Sequence, residues 1–285
     1  MLLRINEQEF SLFRDFIEDT CGIVLGEEKA YLIENRLSSL VQKSGCKSYG
    51  EFYLKLNHSP ITDPLRTSVI DAITTHETLW FRDEYPFRIF RERLLPEFQQ
   101  AISENRRGAI HIWSAACSTG QEPYSIAMAI SDFCSGSVCE RRPCQDNARI
   151  LATDISPAVL SQAIAGQYDA SAMSRGLSSE HRSRYFRKEG EQWVLAPEIR
   201  QMVAFRQFNL KDPVVGVIGP FDIIFLRNVI IYFSEALKKT LFARAARLLN
   251  PGGYMFLGSG ETAGGYTDAF EILEHRGTIF YRMKD

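Results

Sequence analysis

Four short segments carry side chains suited to chemistry. In Ala115-Ala-Cys-Ser-Thr-Gly-Gln-Glu-Pro-Tyr-Ser, small residues and Gly120 let a ligand approach the backbone, and Glu122 follows at the start of a helical run. A G-x-G-x-x-G fingerprint is missing. A carboxylate here repels a diphosphate and attracts a cationic aminoacyl sulfonium, which favours S-adenosylmethionine over NAD, although a glutamate in a first turn also complements a helix dipole. Ala152-Thr-Asp-Ile-Ser ends a second strand with Asp154, placed to accept hydrogen bonds from both ribose hydroxyls. The alternative role, capping the next helix, is better filled by Ser156 at N-cap with Pro157 at N1. Phe221-Asp-Ile-Ile-Phe-Leu-Arg-Asn-Val-Ile-Ile-Tyr-Phe delivers Arg227, Asn228 and Tyr232 to the same sheet edge. Polar groups ending an apolar strand need a cavity or partners, so they line a pocket or form a helix-start network with Ser234 as cap. Ile73-Thr-Thr-His-Glu-Thr-Leu-Trp-Phe-Arg-Asp suits a segment that closes over a ligand while Leu79, Trp80 and Phe81 anchor it, or an interdomain linker helix.

These segments need a sheet to position them. After about Arg91, β-rich runs (Ile110 to Ala116, Arg149 to Ile155, Val203 to Leu210, Phe221 to Val229, Tyr254 to Gly258) alternate with helical ones (Gln121 to Phe133, Pro157 to Ala165, Glu235 to Leu249). That alternation predicts right-handed βαβ units and a parallel sheet. From Glu7 to about Asp71 the spacing of Phe10, Phe13, Phe16 and Ile17, then of Tyr31, Leu32, Leu37, Leu40 and Val41, is helical, and glycines and prolines divide it into four short helices. Arg184 to Leu195 reads as an inserted hairpin turning at Glu189-Gly190, and Phe270 to Met283 as a closing antiparallel hairpin around Arg276-Gly277.

The chain has 285 residues, 45% hydrophobic and 24% charged, enough for one large domain and a small one. Its net charge of -2 excludes a general attraction for nucleic acid or an anionic membrane. No basic segment followed by an apolar run opens the sequence, and the most apolar stretch, Phe221 to Phe233, is interrupted by Arg227 and Asn228, so a cytoplasmic address without membrane insertion is expected. The thiols are then reduced. Cys134, Cys139 and Cys144 recur every five residues, which does not match zinc-site pairs, so this stretch is read as a polar loop and no metal is expected.

Taken together, Thr74-Thr-His-Glu-Thr-Leu-Trp-Phe-Arg-Asp, Trp113-Ser-Ala-Ala-Cys-Ser-Thr-Gly-Gln-Glu-Pro-Tyr-Ser, Ala152-Thr-Asp-Ile-Ser and Arg227-Asn-Val-Ile-Ile-Tyr-Phe resemble the chemotaxis receptor methyltransferase (CheR) family. Asn250-Pro-Gly-Gly-Tyr and Gly258-Ser-Gly-Glu add to the match, which covers nearly the whole chain in order. The resemblance implies an α/β fold with an N-terminal all-α domain (1–75), a linker or lid contacting the cofactor (76–95), and a Rossmann-like methyltransferase domain (96–285) carrying a small antiparallel β-subdomain inserted at about 167–202. It implies S-adenosylmethionine as cofactor, S-adenosylhomocysteine as product, and methyl transfer to glutamate carboxylates on the cytoplasmic coiled-coil region of methyl-accepting chemoreceptors. A monomer is expected. The cofactor contacts implied are His76, Thr78, Arg82, Glu122, Asp154, Asn209, Leu210, Arg227 and Asn228, with Asn209-Leu210 ending the third strand. The chain departs from the family at His76, where Asn is usual, and at Gly258-Ser-Gly-Glu261, where Gly-His-Ser-Glu is usual. Neither removes cofactor binding, and His76 would add pH sensitivity near its unperturbed pKa of about 6.5. The insert is shorter than in members that hold a receptor's tail peptide, so tail tethering is not expected.

A glutamate carboxylate, with a pKa of about 4.3, is ionised at neutral pH and needs no general base. No catalytic dyad is expected. What remains is alignment and removal of water, and Arg82 and Tyr232 are the residues expected to orient the glutamate and the methionine moiety, Arg82 with the larger effect. Lys29, Arg36 and Lys43 recur at seven-residue spacing on a predicted helix, forming a stripe that would grip acidic receptor helices or a solvated face.

Overall fold

The computed structural model describes residues 3–60, 62–136, 147–213 and 219–284. The cysteine loop reading at Cys139 and Cys144 falls outside them.

Helix α1 (Glu7–Cys21) starts on a capping box, Asn6 accepting the Glu9 N–H while the Glu9 carboxylate accepts the Asn6 N–H, and stops at left-handed Gly22. A 3-10 turn (Glu27–Lys29) leads into α2 (Ala30–Lys43), followed by α3 (Tyr49–His58) and α4 (Pro64–Ile73), the four helices expected. Phe13, Ile33, Leu37, Tyr49, Phe52 and Leu56 are fully buried between them, each contributing about 1.5–3 kcal/mol of transfer free energy.

Residues 74–84 form bends and turns, after which α5 (Tyr85–Ile89), a π-helical turn (Phe90–Leu94) and α6 (Leu95–Ser103) run on as one helical rod. The stretch read as a single linker over 76–95 therefore divides at Tyr85. Its second half belongs to the core, because Phe87 and Phe90 pack on Phe225 of the sheet.

Strand β1 (Ile110–Ala115), α7 (Gln121–Gly136), β2 (Ala148–Asp154) and α8 (Pro157–Ala165) follow in alternation. An insertion then comprises β3 (Gln167–Tyr168), α9 (Ala170–Met173), α10 (Ser179–Tyr185), β4 (Phe186–Glu189), β5 (Gln192–Leu195) and α11 (Pro197–Arg200). The chain returns as β6 (Val203–Gln207) and β7 (Phe221–Leu226), then a 3-10 turn (Ile230–Tyr232), α12 (Glu235–Leu248), β8 (Leu249–Phe256), β9 (Phe270–His275) and β10 (Thr278–Met283). The main sheet has the order β6-β2-β1-β7-β8-β10-β9, parallel except for the closing β9–β10 hairpin, and the insertion forms a three-stranded antiparallel sheet, β3-β5-β4. This is the Rossmann-like sheet with an all-α domain and a small β-subdomain that the sequence predicts. Every residue of β7 is buried, as befits a central parallel strand covered on both faces.

Register decides where the site lies. Ala115 sits beside Thr153 on one side and Leu226 on the other, and Asp154 beside Gln207, so the ends of β1, β2, β6 and β7 reach one edge of the sheet. Strand order departs in both directions from β1, the switch point at which open α/β sheets bind ligands. The third strand stops at Gln207, short of the Leu210 expected. Past that point the Phe208 N–H still donates to the Asp154 carbonyl, but the Asn209 side chain accepts the Lys211 N–H and donates to the Thr20 carbonyl, turning the chain toward α1.

Candidate active site

The turn after β1 is held in an unusual backbone path. Ala116, Ser118 and Gly120 all have left-handed φ, of 56°, 51° and 94°. For the two non-glycine residues this is a strained state that persists only where surroundings impose it. Asp154 is one source of that constraint: its Oδ2 accepts the Ser118 N–H at 2.8 Å and its Oδ1 the Ser156 N–H at 3.0 Å. Ser156 caps α8, its hydroxyl accepting the Val159 N–H with Pro157 at N1. Burial pushes the Asp154 carboxyl above the usual aspartate value, the opposing pull of the two N–H donors being too small to cancel it. Gly120 is required for packing as well as for φ, since a Cβ there would lie 3.0 Å from Ala163 Cβ and 3.1 Å from Tyr124 Cε2.

At the end of β7, Arg227 is almost completely buried. One guanidinium nitrogen donates to Glu122 Oε2 at 2.8 Å; the other donates to the Arg82 carbonyl at 2.7 Å and to Asp83 Oδ2 at 2.8 Å. The second Glu122 oxygen accepts the Ser114 hydroxyl at 2.7 Å. Glu122, read from the sequence as an acid facing a cationic ligand or complementing a helix dipole, is thus paired with the guanidinium delivered by β7. Two carboxylates around one guanidinium leave one negative charge beside the cleft. Asp83, unnoticed in the sequence, completes the cluster, and a left-handed φ of 66° was not legible from its residue type.

Asn228 also takes left-handed φ, at 56°, and the residue that holds it lies far along the chain. Glu261 accepts the backbone N–H groups of Gly258, Asn228, Val229, Ile230 and Ile231. Gly258-Ser-Gly-Glu261 stands out in the sequence, but the five N–H groups that Glu261 meets lie mostly in another segment and give it a role only in the fold. Tyr232 follows on the 3-10 turn, its carbonyl accepting the Val24 N–H at 2.9 Å, while Ile23 bridges Phe233, so the strand-like strap after α1 forms one wall.

The segment over the cleft is anchored through its aromatics. Trp80 is fully buried, donates its indole N–H to the Ala172 carbonyl at 3.1 Å, and meets Tyr168 and Phe186 edge-on at 4.9 and 5.2 Å. Phe81 stacks on His181 at 4.6 Å. Arg82 donates to the Glu77 carbonyl at 2.8 Å, and the His76 Nε2 is turned back onto the Thr74 hydroxyl and the Asp71 carbonyl.

The basic stripe is not one face. Lys29 lies in the 3-10 turn before α2 and lines the cleft, Arg36 donates to the Ile73 and Thr74 carbonyls and to the Thr75 hydroxyl, and Lys43 is exposed. The physical reason is that the end of α4 leaves carbonyls unsatisfied within reach of α2, and an arginine fork bonds them. Arg36→Ala should therefore lower the Tm by at least a few degrees, each of its three lost hydrogen bonds being worth up to about 1.5–3 kcal/mol, while Lys43→Glu leaves the Tm unchanged. Thermal melts of both variants check this.

One cleft of about 250 Å³ lies over this edge, lined by His76, Thr78, Arg82, Glu122, Asp154, Asn209, Leu210, Arg227, Asn228 and Tyr232 together with Ile23, Val24 and Lys29. The donor set fits S-adenosylmethionine. Each Asp154 oxygen accepts one backbone N–H and retains a lone-pair site, two in all for two ribose hydroxyls, and Glu122, the carboxylate of the cluster that lines the cleft, presents negative charge to a sulfonium and ammonium. Among the described residues, no group of three or more His, Cys, Asp or Glu side chains is gathered to hold a metal ion, and no helix is long and apolar enough to cross a membrane.

Comparison with known proteins agrees with the geometry. The family model for the CheR methyltransferase SAM-binding domain matches residues 76–279, and that for the CheR methyltransferase all-alpha domain matches residues 8–74. The chain is 44% identical over 277 residues, 97% of this chain and 98% of the relative, to the chemotaxis protein methyltransferase Cher2 of Pseudomonas putida. It is equally similar, at 44% over the same shares, to chemotaxis protein methyltransferase 1 of Pseudomonas aeruginosa. To a chemotaxis protein methyltransferase of Vibrio parahaemolyticus it is 43% identical over 284 residues, 99% of each chain. A strained turn after β1, an acid ending β2 and a buried arginine ending β7, on a chain matched from end to end, make this protein a member of the CheR methyltransferase family and an S-adenosylmethionine-dependent methyltransferase.

Proposed function

We propose that the protein transfers methyl groups to glutamate side-chain carboxylates on the cytoplasmic coiled-coil region of chemoreceptors, giving methyl esters, and that it does so as a cytoplasmic monomer. The observation that carries this reading is the state of the cleft's acids and base. Glu122 is bound by Ser114 and Arg227, Asp154 by two backbone N–H groups, Glu77 by Arg175, and the His76 Nε2 by its own segment, so each is already engaged in holding the site together. An acceptor already ionised at neutral pH fits such a site, and a carboxylate is one. Arg82 and Lys29 supply cationic groups that attract it. The names of the relatives support a chemotaxis substrate.

When bound, S-adenosylmethionine supplies an electrophilic methyl group on a sulfonium. Asp154 would hold the ribose; His76, Thr78, Glu122, Asn209, Leu210 and Asn228 surround the remainder, and Arg227 keeps the overlying segment in place. Arg82 and Tyr232 orient the incoming carboxylate, with Arg82 the stronger contributor, and the lid anchored by Trp80 excludes water from it. Too strong an ion pair with Arg82 would slow attack, so its guanidinium is shared with the Glu77 carbonyl.

The test incubates the protein with methyl-labelled S-adenosylmethionine and receptor-bearing membranes, then measures label released as methanol by mild base. Base-labile label on the receptor is expected; S-adenosylhomocysteine binding without protein label would refute the glutamate reading. In the same assay Arg82→Ala should lower turnover by about 10–150-fold, the worth of one charged hydrogen bond, with a smaller loss of S-adenosylhomocysteine affinity. Equal losses would contradict the assigned role.

A further inference from the structure

The carboxylate of Glu261 gathers an unusual number of donors. Its Oε2 accepts the N–H groups of Asn228 and Gly258, both at 2.7 Å, and its Oε1 those of Val229 and Ile230 at 2.9 Å and of Ile231 at 3.3 Å. Four of these five N–H groups belong to consecutive residues at the start of the 3-10 turn, where the backbone has no acceptor of its own. The first of the four is Asn228, whose left-handed φ of 56° needs an external constraint. The turn ends in Tyr232, which with Asn228 lines the cleft. Gly258 gives the carboxylate room: a Cβ there would fall 2.5 Å from Asn228 Nδ2 and 2.7 Å from Glu261 Oε2.

We infer that Glu261 is a positioning residue of the methyl-transfer site, acting through the backbone of residues 228–231 to aim Asn228 at the cofactor and Tyr232 at the acceptor carboxylate. This rests on the reading of the site given above. Both carboxylate oxygens act as acceptors, so only an anion serves. A glutamine of the same shape turns an NH2 group toward at least two N–H donors, whichever way the amide lies.

The experiment compares the full-length wild type with Glu261→Gln, Gly258→Ala and the double variant. S-adenosylhomocysteine affinity is measured by calorimetry, receptor labelling by the methanol assay, and the folded fraction by circular dichroism at the assay temperature. Glu261→Gln is expected to stay folded, to bind S-adenosylhomocysteine about tenfold more weakly, the scale of one lost charged hydrogen bond, and to lose turnover by a larger factor. Gly258→Ala should reproduce both losses without altering charge, and the double variant should lose little more than either single one, because both act on one contact. Unchanged affinity in Glu261→Gln overturns the inference, as do additive losses in the double variant or a loss that merely follows the unfolded fraction. If the wild type binds S-adenosylhomocysteine but labels no receptor, the glutamate reading falls, while weakened binding by Glu261→Gln still supports the role of Glu261 toward Asn228.

Discussion

Replacing Arg227 by methionine is expected to destabilise the protein by about 3–5 kcal/mol, because the side chain is almost wholly buried and its removal strands two carboxylates. For a chain of this size that corresponds to a Tm fall on the order of 10 °C. Glu122 keeps the Ser114 hydroxyl, but Asp83 and the Arg82 carbonyl lose the guanidinium that ties the lid to the sheet. The backbone at Phe81, Asp83 and Glu84 has left-handed φ at all three positions, so a lid released from Arg227 relaxes instead of staying in place. S-adenosylhomocysteine affinity should fall with it. Arg227→Lys separates charge from geometry: a compact ammonium keeps the charge but cannot reach Glu122, Asp83 and the carbonyl together, and should recover only part of the stability. Thermal melts and calorimetry on both variants decide the matter. A methionine variant as stable as wild type would show that Arg227 is not the clamp.

The second large effect concerns Asp154. Asp154→Asn keeps the shape but faces an NH2 group toward either the Ser118 or the Ser156 N–H and removes acceptor sites left for the ribose. Losing one or two charged hydrogen bonds should weaken S-adenosylhomocysteine binding by about 100-fold. The wild-type affinity should also depend on pH in a window set by burial. Because burial raises this carboxyl, the folded protein holds a proton between the usual aspartate pKa and the raised one where the unfolded chain has released it. Stability from this group therefore declines as pH rises through that window, while cofactor binding, which needs the carboxylate, strengthens. On acidification affinity should begin to fall at a higher pH than an exposed aspartate would give, and the asparagine variant should lose this dependence. Binding within threefold of wild type in Asp154→Asn, measured by calorimetry, would remove Asp154 from the ribose site.

Much of the architecture was legible in the sequence because periodicity reports burial element by element. Phe10, Phe13, Phe16 and Ile17 mark a helix face, and Phe221 to Leu226 a strand covered on both sides, wherever their partners lie. Strands alternating with helices then have few permitted topologies, which is why the edge where Asp154, Arg227 and the turn after Ala115 end could be named in advance. Asp154, Arg227 and Asn228 could be read for the same reason, as polar residues at the ends of buried strands, whereas His76, Thr78, Arg82, Asn209 and Leu210 were expected only from the family resemblance.

Which polar group bonds which was decided only by the tertiary structure. Glu122 and Arg227 lie 105 residues apart and meet through the register of β1 with β7. Arg36 was counted on a stripe that would grip acidic receptor helices or face solvent, and instead bonds carbonyls 37 and 38 residues away, because α2 packs where α4 runs out of donors for its last carbonyls. Asn209 is turned toward Thr20 by the docking of α1, and Glu261 finds five donors at a turn that follows another strand. A sequence pattern measures how much of each element must leave water, which is local and nearly additive. The partner of a buried charge depends on packing and register between distant elements, and is settled by the requirement that, once inside, no charge is left without a counterpart.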